Sequence, residues 1–179
     1  MNKLPSRQII SPTVRKGHLI LIVVSFLFVA WLPVSHAEET HAGSDHSFHK
    51  HHAALFLGNT QDEHGDSGIS MGVDYEHRIN KWLGLGGFME YAGGDLENLR
   101  IGIPLFIHPY KEWRLLAAIG GEIYKEPESN EKDRGFVFRT GVGYLFPVGK
   151  DITVAPEFFV DLSEHETLYI YGLSVGYGW

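Results

Sequence analysis

The sequence has no cysteine, and it has few basic residues after its first 37 positions. Without cysteine, the chain can form no disulfide, no thiol catalyst and no thiolate metal site. Four of the 15 Lys and Arg residues precede position 38, whereas all 22 Asp and Glu residues follow it. Residues 38–179 therefore carry 11 basic and 22 acidic side chains, a formal charge of −11. Since nothing supplies the basic stripe that phosphate binding requires, we expect no nucleic-acid partner.

Long hydrophobic runs are also scarce, with one clear case near the start. Residues 19–32 are apolar except for Ser25, and they follow a segment with four basic and no acidic side chains. As a helix rising about 1.5 Å per residue, this run spans about 21 Å, short of the roughly 30 Å core of a bilayer. Ser35 and Ala37 then provide small residues at −3 and −1 of a cleavage site. These features predict that residues 1–37 are a cleaved secretory signal peptide.

Amphipathic helices are missing from the pattern after position 53, where apolar and small or polar residues alternate instead. In the last segment, Tyr169, Tyr171, Leu173, Val175, Tyr177 and Trp179 form one face, and the other face is mostly Gly and Ser. The alternation is typical of β-strands. It recurs in eight segments, which we predict as strands: 52–59, 68–78, 82–91, 98–107, 113–124, 136–146, 152–161 and 169–179.

The charged residues of these segments share the face of Gly and Ser. A soluble lipocalin-like barrel or β-sandwich would instead bury the apolar face and expose the polar one, and this remains the alternative. A tilted strand of about 9–11 residues crosses a bilayer, and only a closed barrel leaves no unpaired edge in lipid. The predicted fold is therefore all-β: an eight-stranded antiparallel up-and-down transmembrane β-barrel over residues 53–179.

The connections and the prolines refine this prediction. Polar runs at 61–67 and 125–133 are expected to be longer outer loops, and tight turns are expected at 79–81, 108–111 and 147–150. Pro104 and Pro156 lie inside predicted strands, where each removes a backbone donor. They predict bulges, or strands shorter than those drawn.

The C-terminal segment carries a further signature. A terminal aromatic residue with aromatic or apolar residues at alternating positions, here Tyr171, Val175, Tyr177 and Trp179, resembles the ending of small outer-membrane barrels of the OmpA/OmpX-like superfamily. The resemblance implies the outer membrane of a Gram-negative bacterium and contact with membrane lipid and lipopolysaccharide. It also implies recognition of these four residues by the barrel-assembly machinery. We expect a monomer.

The inward-facing charges are expected to pair. Arg100 and Arg139 are predicted to connect the strands through the carboxylates Glu90, Glu122 and Glu157, because buried charges are costly unless paired. Asp74, Glu76 and Asp161, together with Arg114, share the same face, which leaves an excess of acids. A lumen filled by side chains is the favoured interpretation. A narrow cation-preferring pore is the alternative.

An enzyme is the second class of function to weigh. Some eight-stranded barrels modify lipid through a Ser nucleophile with a His base, which must lie within hydrogen-bond reach. The inward-facing Ser70 and Ser174 have no His on a matching face, and the His-x-Ser motif of the deacylases is absent. We therefore expect no enzyme and no cofactor. The expected role is structural or one of surface interaction.

Residues 38–52 form a polar segment rich in histidine between the predicted signal and the barrel. Imidazole suits Zn²⁺, Cu²⁺ or Ni²⁺, and short histidine-rich tracts often bind such ions. A transition-metal tract and a disordered leader without function are both open. The candidate metal ligands are His41, His46, His49, His51 and His52.

Overall fold

The structure is a computed structural model and describes residues 49–125, 132–164 and 166–179. The predicted signal peptide (residues 1–37) and most of the predicted leader lie outside the described residues. Within these three ranges no helix is long and apolar enough to cross a membrane.

Nine strands make up the described chain. Their bounds are β1 His51–Asp62, β2 Ser67–Arg78, β3 Leu83–Ala92, β4 Asn98–Ile107, β5 Trp113–Lys125, β6 Lys132–Tyr144, β7 Phe146–Pro147, β8 Ile152–Ser163 and β9 Thr167–Gly178. The order along the sheet is β6-β5-β4-β3-β2-β1-β9-β8-β7, and every pairing is antiparallel. Because β6 also pairs with β8, the sheet closes on itself.

The two-residue β7 continues β6. The pair Gly143–Glu157 belongs to the β6–β8 ladder and the pair Phe146–Val154 to the β7–β8 ladder, and both follow one register. The unbridged positions Tyr144 and Leu145 lie opposite Pro156 and Ala155 on this register, and Pro156 has no N–H to donate. Counted in this way, the barrel has eight strands, and the predicted fold class is confirmed.

The prolines interrupt hydrogen bonding without shifting the register. Between β3 and β4, the pairs Leu85–Leu105 and Phe88–Gly102 lie on the same register, with two unbridged positions opposite Pro104 and Ile103. The expected bulges are therefore not found at these prolines, and β4 keeps its predicted bounds. A closed sheet can lose single bonds here because the neighbouring pairs hold the strands in place.

The strand register separates two faces of opposite polarity. Inward positions carry buried side chains such as Phe56, Arg100 and Arg139, and Arg100 has no exposed surface. Outward positions carry large apolar side chains, of which Ile69 is the most exposed at 68%. This polarity is opposite to that of a soluble barrel, so the lipocalin-like alternative does not fit the structure.

Aromatic rings and glycines fill the narrow interior together. A Cβ added at Gly102 would lie 2.5 Å from the ring of Phe88, and one added at Gly172 would lie 2.8 Å from the ring of Phe56. Gly141 faces the ring of Phe159 in the same way. Glycine on one strand therefore provides the space that a phenylalanine on its neighbour occupies, which explains the small residues of the inner face.

We call the end where β1 begins and β9 ends the terminal end of the barrel. Connections at this end, such as 79–82 and 108–112, have four and five residues. At the opposite end, the connections 63–66, 93–97 and 164–166 have four, five and three residues. The predicted outer loop at 61–67 is thus shortened to the four-residue connection 63–66, because β1 extends to Asp62 and β2 begins at Ser67. The carboxylate of Asp62 accepts the N–H groups of the turn at His64, Gly65 and Asp66. The connection 126–131 lies outside the described residues.

Candidate functional site in the barrel interior

Four charged side chains from four strands meet inside the barrel. Glu90 on β3 and Arg100 on β4 are register partners, as are Arg139 on β6 and Asp161 on β8. All four side chains are almost fully buried. We call them the distal cluster, because they lie toward the end of the barrel opposite the termini.

The distal cluster is a closed ring of charge-assisted contacts. Arg100 Nη1 donates to Asp161 Oδ2 at 2.8 Å, and Arg100 Nη2 lies 3.2 Å from Glu90 Oε1. Arg139 donates to Glu90 from Nη1 at 2.8 Å and to Asp161 from Nε and Nη2 at 2.7 Å each. Two guanidinium groups and two carboxylates balance in charge, which is what buried ions need to offset desolvation.

Aromatic rings complete the surroundings of Arg139. Its guanidinium carbon lies 4.3 Å from the ring centroid of Phe88 and 5.3 Å from that of Phe159. Cation–π attraction of this kind strengthens where water is excluded. Arg139 therefore connects the ion network to the apolar cluster of the lumen.

A second cluster, the proximal cluster, is centred on Arg114 of β5. Arg114 Nη1 lies 3.3 Å from Asp74 Oδ1, and its Nη2 donates to Glu157. Phe106 lies under the guanidinium, with 5.2 Å between the ring centroid and Cζ. One arginine faces two carboxylates here, so the acid excess expected from the sequence is partly located at this point.

The ion pairs in the structure differ in part from the network predicted from the sequence. Glu90 joins Arg100 and Arg139 as expected, whereas Glu157 contacts Arg114. Glu122 accepts a hydrogen bond from Asn98 Nδ2 at 3.1 Å. The carboxylate that links the two arginines from β8 is instead Asp161, which was assigned to the same face without a partner. The period-2 pattern gives the face of a residue, but it does not give its neighbour across the lumen.

Two interior pairs near the terminal end were not predicted. His108 Nε2 lies 2.7 Å from Glu76 Oε1, and Arg78 Nε lies 3.5 Å from the same oxygen. His108 is in a turn, where the alternation of the strands gives no facing, so the sequence contained no signal for this pair. His52 Nε2 and Thr153 Oγ1 form a second pair, 2.9 Å apart.

Acidic groups gather at the end opposite the termini. Burial and the nearby carboxylates Glu122 and Asp62 raise the pKa of Glu166, which lies in the connection between β8 and β9. Their mutual repulsion is screened where the groups reach water. Among the described residues, no set of three or more His, Asp or Glu side chains is arranged to hold a metal ion.

The interior leaves little free space between the two clusters. A cavity of about 20 Å³ lies there, lined by Asp74, Glu90, Arg139 and Glu157 together with aromatic rings. This volume is about that of a single water. At this level ions and rings fill the cross-section, as expected for eight strands.

The described histidines of the predicted metal tract point in different directions. His52 points inward to Thr153, whereas its neighbour His51 points outward and lies 2.7 Å (Nδ1) from the hydroxyl of Tyr75. His49 Nε2 lies 3.1 Å from the carbonyl oxygen of Lys150. These three side chains therefore do not converge on one ion, and β1 begins at His51, two residues before the predicted barrel boundary at 53. His41 and His46 lie outside the described residues.

The predicted assembly signal forms one face of β9. Tyr171, Val175, Tyr177 and Trp179 all point outward and are about half exposed. Tyr177 and Trp179 stack with 5.9 Å between ring centroids. Recognition of this face by the barrel-assembly machinery stays a prediction.

No protein-family model matches the sequence, and no curated protein matches it. Solved structures do match the fold. The N-terminal β-barrel domain of OprF from Pseudomonas aeruginosa aligns with a TM-score of 0.58 and 9% identity, over 73% of this chain and 98% of that one. Ail, the attachment invasion locus protein of Yersinia pestis, in complex with the heparin analogue sucrose octasulfate, aligns with a TM-score of 0.50 and 12% identity, over 73% of this chain and 99% of that one. The resemblance predicted from the sequence is confirmed for the fold: the chain folds as the small outer-membrane β-barrels do.

Proposed function

We propose that the protein is a non-enzymatic barrel of the Gram-negative outer membrane with a structural role and a lumen closed by side chains. The observation that supports this is the inverted polarity of the barrel. Exposing a large apolar side chain to water costs roughly 1.5–3 kcal/mol relative to burial. The outward face carries many such side chains in a continuous belt. A lipid environment makes the exposure of these apolar side chains favourable.

The closed lumen favours a structural role over conduction. Arg100, Arg114 and Arg139 reach across the interior and pair with carboxylates from strands that are not their neighbours. An ion passing through would have to break these contacts in a region of low dielectric constant, where each unpaired charge is costly. The narrow cation-preferring pore is therefore the less favoured alternative.

Short connections favour a structural role over surface recognition. The fully described connections opposite the termini, 63–66 and 93–97, have only four and five residues. Recognition surfaces are commonly built on longer loops held by a rigid scaffold. The described part of the chain has the scaffold and little loop surface at this end.

The hydroxyl and imidazole groups in the described interior do not form a catalytic set. Ser70 Oγ is hydrogen-bonded to Thr60 Oγ1. His52 is paired with Thr153, but its Nδ1 has no hydrogen-bond partner in the structure. A base of this kind requires a third group that orients it. We therefore propose that the barrel does not modify lipid.

Conductance of the purified barrel in planar lipid bilayers tests the closed lumen. We expect current traces that do not differ from lipid alone, since the arginine side chains remain paired. Stable, cation-selective steps of uniform size would overturn the closed lumen and support the pore. Mass spectrometry of lipid A from cells that overproduce the protein tests the proposal that the barrel is not an enzyme. An altered acyl pattern would show that the protein modifies lipid.

A further inference from the structure

Two histidines face each other on the outer surface near the terminal end of the barrel. His51 on β1 and His77 on β2 are register partners. Their Nδ1 atoms lie 3.5 Å apart and their ring centroids 4.9 Å apart. Both side chains are half-buried, so solvent can reach them.

The backbone explains why the two rings are so close. The N–H of Arg78 donates to the carbonyl oxygen of Lys50, which makes the neighbouring 51–77 pair one without direct backbone hydrogen bonds between its members. Side chains of such pairs approach more closely than those of hydrogen-bonded pairs. On the other side, His51 exchanges two backbone hydrogen bonds with Trp179 of the same barrel end. The position of His51 is thus fixed from both sides.

Aromatic contacts also limit the orientation of the His51 ring. Trp179 stacks on it with 5.5 Å between centroids and 18° between planes. Tyr75 lies on another side at 6.1 Å, with its hydroxyl 2.7 Å from His51 Nδ1. A ring held in this way loses little rotational freedom when it binds a ligand.

From this geometry we propose that His51 and His77 form a two-histidine site for a divalent transition-metal ion such as Zn²⁺, Cu²⁺ or Ni²⁺. Two nitrogen ligands at about 2.0–2.1 Å from a tetrahedral ion lie roughly 3.3 Å apart. The observed separation of 3.5 Å therefore admits an ion with almost no movement of the backbone. The Tyr75 hydroxyl, which is hydrogen-bonded to His51 Nδ1, leaves this nitrogen when the ion binds, and water fills the remaining positions.

The chemistry of the ligands selects the class of ion. Neutral imidazole prefers Zn²⁺, Cu²⁺ and Ni²⁺, whereas Mg²⁺ and Ca²⁺ prefer oxygen ligands. The site differs from the histidine tract predicted from the sequence, because its second ligand, His77, comes from another strand. Of the tract, it uses His51 only.

Titration of the metal-free, full-length folded barrel with Zn²⁺ in a calorimeter tests the proposal. We expect one saturable event that is absent with Mg²⁺, and we expect His51→Ala and His77→Ala each to weaken it about tenfold or more. His64→Ala, which changes an exposed histidine of the β1–β2 turn, is the matched control and should bind as the unmodified chain does. Each variant is first shown to be folded by its migration on unboiled SDS gels. If His77→Ala does not fold, His77→Gln replaces it.

Two results would overturn the two-histidine site. The first is Zn²⁺ binding by folded His77→Ala that equals binding by the unmodified chain. If the double variant His41→Ala/His46→Ala then loses binding, the ion belongs to the N-terminal tract. The second is the absence of saturable Zn²⁺ binding in the unmodified chain, which would show that the His51–His77 contact is only part of the aromatic belt.

Discussion

At the scale of single residues, Arg139 contributes to more contacts of the lumen than the other arginines. It donates three hydrogen bonds to Glu90 and Asp161, and its guanidinium lies over two phenylalanine rings. The three strands β3, β6 and β8 therefore meet at one side chain. Removing it leaves two carboxylates close together, with Arg100 as their remaining described arginine partner.

Replacing Arg139 by Ala is expected to lower the free energy of unfolding by about 3–5 kcal/mol, the range typical of breaking a buried ion pair from one side. The measurement is equilibrium unfolding in denaturant of barrels folded into lipid vesicles. Arg134→Ala is the matched control, because Arg134 lies exposed on the same strand. Equal effects of the two variants would contradict the role assigned to the distal cluster.

At the scale of elements, β3 shows how the inner and outer faces differ in tolerance. Gly86 faces inward, and a Cβ there would overlap the carbonyl oxygen of Tyr75 on β2. Gly87 faces outward, and the atom nearest to an added Cβ is 3.9 Å away. Of these two adjacent glycines, only Gly86 is required by the close approach of the β2 and β3 backbones.

The variants Gly86→Ala and Gly87→Ala form a matched pair. We expect Gly86→Ala to destabilise the barrel by about 1–3 kcal/mol, the usual cost of overpacking. Gly87→Ala should be neutral or slightly stabilising, because alanine reduces the entropy of the unfolded chain. Denaturant unfolding of both variants in vesicles decides the matter. Comparable losses in the two would mean that the assignment of inner and outer faces on β3 is wrong.

Element positions were largely predictable because alternation with period 2 determines which face a residue takes. The bounds of β4 agree with the prediction, and β8 differs by two residues at its end. The loops were not predictable from polarity: the run 61–67 is polar, yet its ends pair as strand, since polar side chains are tolerated where a strand reaches the end of the barrel. The same alternation that predicts strands also points His51 and His52 to opposite faces of β1, so these two histidines of the tract do not converge on one ion.

At the scale of the whole molecule, the barrel is a closed sheet with apolar side chains outside and paired charges inside. The fold could be predicted from the sequence because the face that a strand residue takes depends only on its odd or even position along the strand, which is a local property. The partners inside the lumen did not, because Arg114 with Glu157 or Arg139 with Glu90 are contacts between strands that are not neighbours in the sheet. Such contacts depend on side-chain length and on the curvature of the closed barrel, and neither is visible in the spacing of residues.

Migration on SDS gels of fractionated membranes shows whether the chain is a closed barrel of the outer membrane. We expect a compact, fast-migrating species in the outer-membrane fraction of unboiled samples, which shifts to slower migration after boiling. A protein found in the soluble periplasmic fraction, with the same migration before and after boiling, would contradict it.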